Sequence, residues 1–229
     1  MLVLFDIDGT LLRRATEEHR DALLEALAIV HGIDARKARH VLSPAGRTDG
    51  EIARALLLDL GLSAARIDER ADDVREECCR IYARTAPDDL THAVVPGVPD
   101  LLEWLAARDD VSLGLVTGNF EPVARIKLAR AGIGQHFSAG AFGSDSEDRA
   151  ALPPIARRRA GPLGRPYPRE DTIVIGDTPR DIACARADGL RCLAVATGPY
   201  GIDQLQDADA AVADAGALRE VLGPLLTSR

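Results

Sequence analysis

The sequence predicts an α/β fold: a parallel sheet covered by helices on both faces, with an all-helical segment inserted after the first strand. Three observations lead there. The chain opens on an apolar run, Leu2-Val3-Leu4-Phe5, that stops at acids and a glycine. From about 15 to 90 the residues show helical periodicity and no strand signal. Beyond that, short apolar runs alternate with amphipathic stretches, the pattern of β-α units whose strands lie side by side in one direction.

Leu2-Val3-Leu4-Phe5 is the first strand, and Gly9 lets the backbone turn just past it. Thr16 stands at the cap position of a helix through Asp21-Ala22-Leu23-Leu24-Glu25-Ala26-Leu27. Further helices are predicted at Gly50-Glu51-Ile52-Ala53-Arg54-Ala55-Leu56-Leu57 and over 65–83. Val94-Val95-Pro96-Gly97-Val98 marks the return to the sheet, with a helix over 98–107. Val111-Ser112-Leu113-Gly114-Leu115-Val116 reads as a buried strand ending at Thr117-Gly118-Asn119, before a helix over 123–131. Gly161-Pro162-Leu163-Gly164-Arg165-Pro166-Tyr167-Pro168 reads as a rigid loop. After it, Thr172-Ile173-Val174-Ile175 ends at Gly176-Asp177 ahead of a helix over 179–187, and Arg191-Cys192-Leu193-Ala194-Val195-Ala196 repeats the theme.

The 229 residues suffice for one domain with a sizeable insertion or for two modest ones. With 46% hydrophobic and 28% charged residues the composition is that of an ordinary globular protein. The formal charge of -8 and the dispersed arginines argue against a nucleic-acid partner. No apolar stretch approaches the roughly 20 residues that span a bilayer, so no membrane role is expected. A first strand beginning at Leu2 leaves no room for a signal sequence, and a cytoplasmic location is expected. Cys78, Cys79, Cys184 and Cys192 lack metal-ligand spacing and read as reduced thiols. His19, His31, His40, His92 and His136 are scattered and are assigned no catalytic role.

In a parallel sheet the ligand crevice lies outside the carboxyl ends of the strands. Residues at those ends are therefore expected to meet in one pocket: Asp6 and Asp8, Thr117 and Asn119, Asp177 and Asp181. Turn chemistry accounts for Asp8-Gly9 but not for Asp6, which still belongs to the apolar run. Two carboxylates so close repel, and one takes up a proton unless a cation or a hydrogen-bond network intervenes. A divalent metal is the simplest remedy. Thr117-Gly118-Asn119 taken alone fits a strand-to-helix turn with a cap equally well.

These motifs resemble the haloacid dehalogenase superfamily, and within it the phosphatases that use an aspartate nucleophile. Asp6-Ile7-Asp8-Gly9-Thr10 matches the first motif, Thr117 the second, and Gly176-Asp177-Thr178-Pro179-Arg180-Asp181 the fourth, over nearly the whole chain. The resemblance implies a Rossmann-like core of residues 1–14 and 92–229 and a helical cap domain of residues 15–91. It implies Mg²⁺ held by the Asp6 carboxylate, the Asp8 backbone carbonyl and Asp177, with Asp181 binding through water or orienting its neighbours. Asp6 is then the nucleophile, forming an aspartyl-phosphate. Asp8 is the acid and base, and Thr117, Gly118 and Asn119 supply donors to the phosphoryl oxygens. The substrate implied is a small phosphorylated metabolite.

The third motif of that family is a basic side chain, usually lysine. Arg149 stands at the right distance after Thr117 and is preferred over Lys127, which lies some three helical turns beyond it, roughly 12 to 15 Å along the axis. An arginine keeps the charge and adds bidentate phosphate geometry. Ser43-Pro44-Ala45-Gly46-Arg47-Thr48-Asp49 resembles the specificity loop of the phosphoglycolate-phosphatase-like branch, where Arg47 would meet an anionic leaving group; a helix cap formed by Thr48 or Asp49 beside a solvated Arg47 fits as well. A 2-haloacid dehalogenase would share the fold but needs neither metal nor Asp8, and a scaffold without turnover needs none of the four acids. A phosphomutase would use every residue named.

Overall fold

The computed structural model describes residues 1–39 and 43–227. Strands β1 (Leu2–Phe5), β2 (Ser112–Val116), β3 (Ala139–Ala141), β4 (Thr172–Gly176), β5 (Arg191–Val195) and β6 (Ala210–Val212) form one sheet in the order β3-β2-β1-β4-β5-β6. Every pairing is parallel. The fold is thus the α/β, Rossmann-like arrangement anticipated from the alternating runs. β3 and β6 escaped the sequence reading because they are three residues each, mostly Ala and Gly. Edge strands so short acquire their conformation from the neighbours they pair with, not from intrinsic preference.

All four residues of β1 are buried, as a central strand covered on both faces requires. Successive side chains serve opposite faces. Val3 and Phe5 join a cluster with Leu102, Leu115, Ile175 and Leu222. Leu2 and Leu4 join another with Val116, Leu152, Val174 and Ile182. Phe5 pairs in register with Leu115 on one side and Ile175 on the other. Asp6, Thr117 and Asp177 therefore emerge one or two residues past a common rung, at the point where the strand order departs left and right from β1.

Between β1 and β2 the chain forms α1 (Glu17–His31), α2 (Asp49–Asp59), α3 (Ala64–Glu69) and α4 (Ala71–Thr85). The single helix predicted over 65–83 is broken at Arg70, whose backbone (φ -119°, ψ 12°) leaves helical values. The break lets Ile67 and Val74 both reach the apolar cluster of the insertion, which also holds Leu23, Leu27, Leu57 and Ile81. Thr16 occupies the cap position of α1 but makes no side-chain cap bond. Among the described residues no helix is long and apolar enough to cross a membrane.

The remaining helices are α5 (Val98–Ala106), α6 (Glu121–Arg130), α7 (Leu152–Ala160), α8 (Pro179–Ala187) and α9 (Ala215–Thr227). α8 starts on a reciprocal capping box between Thr178 and Asp181, with Pro179 at the first helical position. The predicted loop at 161–168 holds a single 3-10 turn, Pro162–Gly164, in which Leu163 is left-handed (φ 54°). All four cysteines are free thiols.

Candidate active site

The ends of β1 and β2 open onto one cavity of about 1120 Å³, lined among others by Asp6, Asp8, His19, Arg47, Asn119 and Arg149, while Thr117, Asp177 and Asp181 are fully buried and are not among its lining residues. Gly9 turns the chain at φ +99°, a left-handed value that a side-chain-bearing residue resists, and a Cβ there would collide with the Asp177 carboxylate. A Cβ on Gly198 would overlap the same carboxylate. Asp177 is therefore enclosed by backbone, with Thr10 Oγ1 donating to its Oδ1 at 3.0 Å. Its other oxygen is buried without a partner among the described residues.

Asp6, Asp177 and Asp181 each place one carboxylate oxygen within 4.8 Å of the others, all three buried. Burial is the main reason that Asp6 is pushed up to about 7, with the charges of Asp181 and Asp8 adding to it and Arg149 opposing. Burial likewise dominates at Asp177, pushed up to about 9 with help from Asp181 and Asp6. Two acids that resist ionisation, an orphaned carboxylate oxygen and a set of hard oxygen donors suit a divalent cation of the Mg²⁺ kind. The residues present fit that group.

Arg149 opens a 3-10 turn, Arg149–Ala151, ahead of α7, and its Nη2 donates to Asp6 Oδ1 at 2.9 Å and to Asp181 Oδ1. Asp181 is aimed by the cap of α8: its Oδ2 accepts from the Thr178 backbone N–H at 3.0 Å and from Thr178 Oγ1 at 2.7 Å. Arg149 Nε and Asn119 Oδ1 are buried without partners among the described residues. Thr117 Oγ1 accepts from the Asn119 backbone N–H at 3.4 Å and from Asn119 Nδ2 at 3.1 Å, which leaves its own O–H to donate elsewhere.

Lys127 corrects the sequence reading. Its Nζ donates to Asp8 Oδ1 at 2.8 Å and Oδ2 at 2.7 Å, although axial distance had placed it out of reach. The counting error is physical: helical side chains lean toward the N-terminus, and a lysine adds its own length in that direction. Burial by itself would raise Asp8, but the Lys127 charge and the hydrogen bonds from Lys127 and Asn119 outweigh it and hold the carboxyl below its ordinary value. The two bases thus divide the acids, Arg149 serving Asp6 and Lys127 serving Asp8.

Asn119 is a second correction. Its Nδ2 donates to Asp8 Oδ2 at 2.8 Å as well as to Thr117, so both amide protons are engaged with the protein instead of awaiting phosphate. Arg47 lines the cavity, but its guanidinium is paired with Glu51 and its Nε donates to Ser43 O at 3.1 Å. Thr48 caps α2, accepting from Glu51 N at 3.1 Å. His19, given no role from sequence, lies within the site with its ring nitrogens toward Lys127 and Asp49. Its signal was present: it falls on the buried stripe of α1 with Ala22, Leu23 and Ala26, where a histidine needs polar partners. His40 lies outside the described residues.

Gly118 meets the insertion directly. Its carbonyl accepts from Asp49 N at 2.9 Å, and a Cβ on it would run into the Arg47 backbone.

Comparison with known proteins bears on the family and the fold. The family model of haloacid dehalogenase-like hydrolases matches residues 3–186. A phosphoglycolate phosphatase of Rhodospirillum rubrum is 32% identical over 201 residues, covering 86% of this chain and 79% of that protein. The tyrosine-protein kinase PtkA of Mycobacterium tuberculosis is 30% identical over 229 residues, covering 97% of this chain and 72% of that one. Among solved structures, CbbY from Rhodobacter sphaeroides in complex with phosphate superposes with a TM-score of 0.65 at 24% identity, covering 95% of each chain, a likeness of fold.

Proposed function

The chain belongs to the haloacid dehalogenase-like hydrolases, and we propose that it hydrolyses small phosphate monoesters through Asp6 as nucleophile. The observation that carries this reading is the convergence of Asp6, Asp177 and Asp181 within 4.8 Å, next to an Asp8 held separately by Lys127 and Asn119. Mg²⁺ would be held by Asp6, Asp177 and the Asp8 backbone carbonyl, and when bound it offsets the charge between an anionic nucleophile and an anionic phosphate. Asp181 orients Arg149 beside it.

An Asp6 oxygen attacks phosphorus as the bond to the leaving oxygen breaks, and that oxygen takes a proton from Asp8. Water then attacks the same phosphorus, Asp8 takes its proton, and the bond to Asp6 breaks to release inorganic phosphate. Lys127 and the hydrogen bonds that hold the Asp8 carboxyl below its ordinary value favour the carboxylate, the form that accepts the proton from water. Thr117 and the backbone N–H groups beside it donate to the phosphoryl oxygens, and Arg149 stabilises the charge that builds there. The phosphoglycolate phosphatases among the relatives make phosphoglycolate the first substrate to try, and the size of the cavity admits sugar phosphates and nucleotides too.

Purified protein is expected to release phosphate from an aryl phosphate with Mg²⁺, to stop with chelator, and to lose at least about 10³-fold in kcat as Asp6→Asn. Equal turnover in all three samples overturns the reading. A panel of phosphoglycolate, sugar phosphates, nucleotides and phosphotyrosine, read by phosphate release, identifies the substrate. Product analysis on the sugar phosphates separates hydrolysis from phosphoryl transfer within the sugar, the mutase alternative.

A further inference from the structure

Behind Asp8 runs a buried chain of polar side chains that the hydrolytic scheme above does not use. The Lys127 ammonium has three protons. Two bonds go to the Asp8 oxygens, and His19 Nδ1 stands 3.2 Å away on the remaining side. If Nδ1 accepts, the His19 proton sits on Nε2, which faces Asp49 Oδ2 at 3.0 Å. That same Asp49 oxygen accepts from the Phe120 backbone N–H at 2.7 Å, at the start of α6, the helix that carries Lys127. The chain is closed and every donor in it has an acceptor. Lys127 is 0% exposed, His19 7% and Asp49 4%, so losing a partner leaves a largely buried polar group short of a bond. The His19 and Tyr82 rings pack in a T-shape with their centroids 5.6 Å apart, which limits rotation of the imidazole.

The geometry points to His19 and Asp49 as positioning residues for Asp8. A lysine on its flexible stem does not by itself fix the direction of its charge; His19 and Asp49 restrict it from behind. They belong to α1 and α2 of the insertion, whereas Asp6 is held by Arg149 and Asp181, which do not. The insertion therefore governs the alignment of the acid and base while leaving the nucleophile's own support untouched. The inference rests on the two-step reading above and assigns the steps different sensitivities. Transfer from an aryl phosphate with a good leaving group needs no proton from Asp8. Breakdown of the aspartyl-phosphate needs Asp8 to take one from water.

The test is pre-steady-state kinetics with 4-nitrophenyl phosphate and Mg²⁺ on the full chain. His19→Leu and Asp49→Asn are expected to lower kcat by about 10–100-fold, the cost of a misplaced catalytic group, while a burst of nitrophenolate approaching one equivalent per enzyme appears and phosphate accumulates on the protein after acid quench. His19→Asn, which returns an oxygen near the Nδ1 position, restores part of kcat. Asp49→Asn keeps an acceptor for Phe120 N–H, and this second variant carries the test should His19→Leu not fold. Loss of both phases in parallel, with no accumulated phosphoenzyme, or unchanged kcat, overturns the positioning role. Absence of phosphoenzyme and turnover in the unaltered protein, by contrast, overturns the hydrolytic reading itself.

Discussion

Asp6 and Asp8 stand two residues apart in sequence and experience opposite surroundings. Asp6 is raised by burial among other acids, and Asp8 is lowered by Lys127 and its hydrogen bonds against the burial that would raise it. On the proposed mechanism, separating the two in this way would let one fold supply a nucleophile and a proton carrier at the same pH. The sign of the consequence follows from linkage. Asp6 and Asp177 have folded pKa values raised above 3.8, so their contribution to stability is complete below about pH 4 and is lost as pH rises through about 7 and about 9. Asp8, lowered, acts in the opposite sense and only in acid. Chelator-treated protein is therefore expected to lose Tm between pH 5 and 9, and added Mg²⁺ to raise Tm more at pH 8 than at pH 5. Thermal denaturation at the two pH values checks this, and a cation effect of equal size at both would contradict it.

Single turns of backbone position whole groups of side chains here. The capping box at the start of α8 ties Thr178 to Asp181, and through Asp181 it aims Arg149. The loop before α2 is held closer still, with Asp49 N on Gly118 O in the turn after β2 and Thr48 Oγ1 on Glu147 O, in the segment after β3, at 2.8 Å. Gly118→Ala would place a methyl group against the Arg47 backbone, which cannot retreat without moving Asp49. The variant is expected to lower kcat by about 10-fold or more, because a small displacement of an aligning element misplaces the reacting groups. Steady-state kinetics beside a thermal melt would show the loss of rate exceeding what any loss of folded protein explains.

The molecule stands on β1. Its four buried residues pair with β2 and β4 and feed an apolar cluster on each face of the sheet. Leu4→Ala in that strand is expected to cost about 2–5 kcal/mol, the range for emptying a well-packed leucine site. Denaturant unfolding would register it as a lower midpoint. The insertion does not complete its apolar cluster alone: Phe120, just before α6, and Val123 of α6 pack into it beside Leu23, Leu57 and Tyr82. The domain division proposed from sequence, 1–14 with 92–229 against 15–91, thus draws a boundary through a cluster that both segments build.

What could be read from the chain alone was whatever depends on neighbours in sequence: the apolar run into Asp6 and Asp8, the Gly9 turn and the helix over 179–187; the choice of Arg149 came instead from the family resemblance. Periodicity and turn chemistry are local, and they carry that information in full. The partners of Asp8 were not readable in the same way. Lys127, His19 and Asp49 lie on three helices separated by up to 108 positions, and only packing brings them together. The lean of a side chain along α6 and the pairing that makes β3 and β6 strands are likewise tertiary. Their energies depend on what stands opposite, which no window of sequence contains.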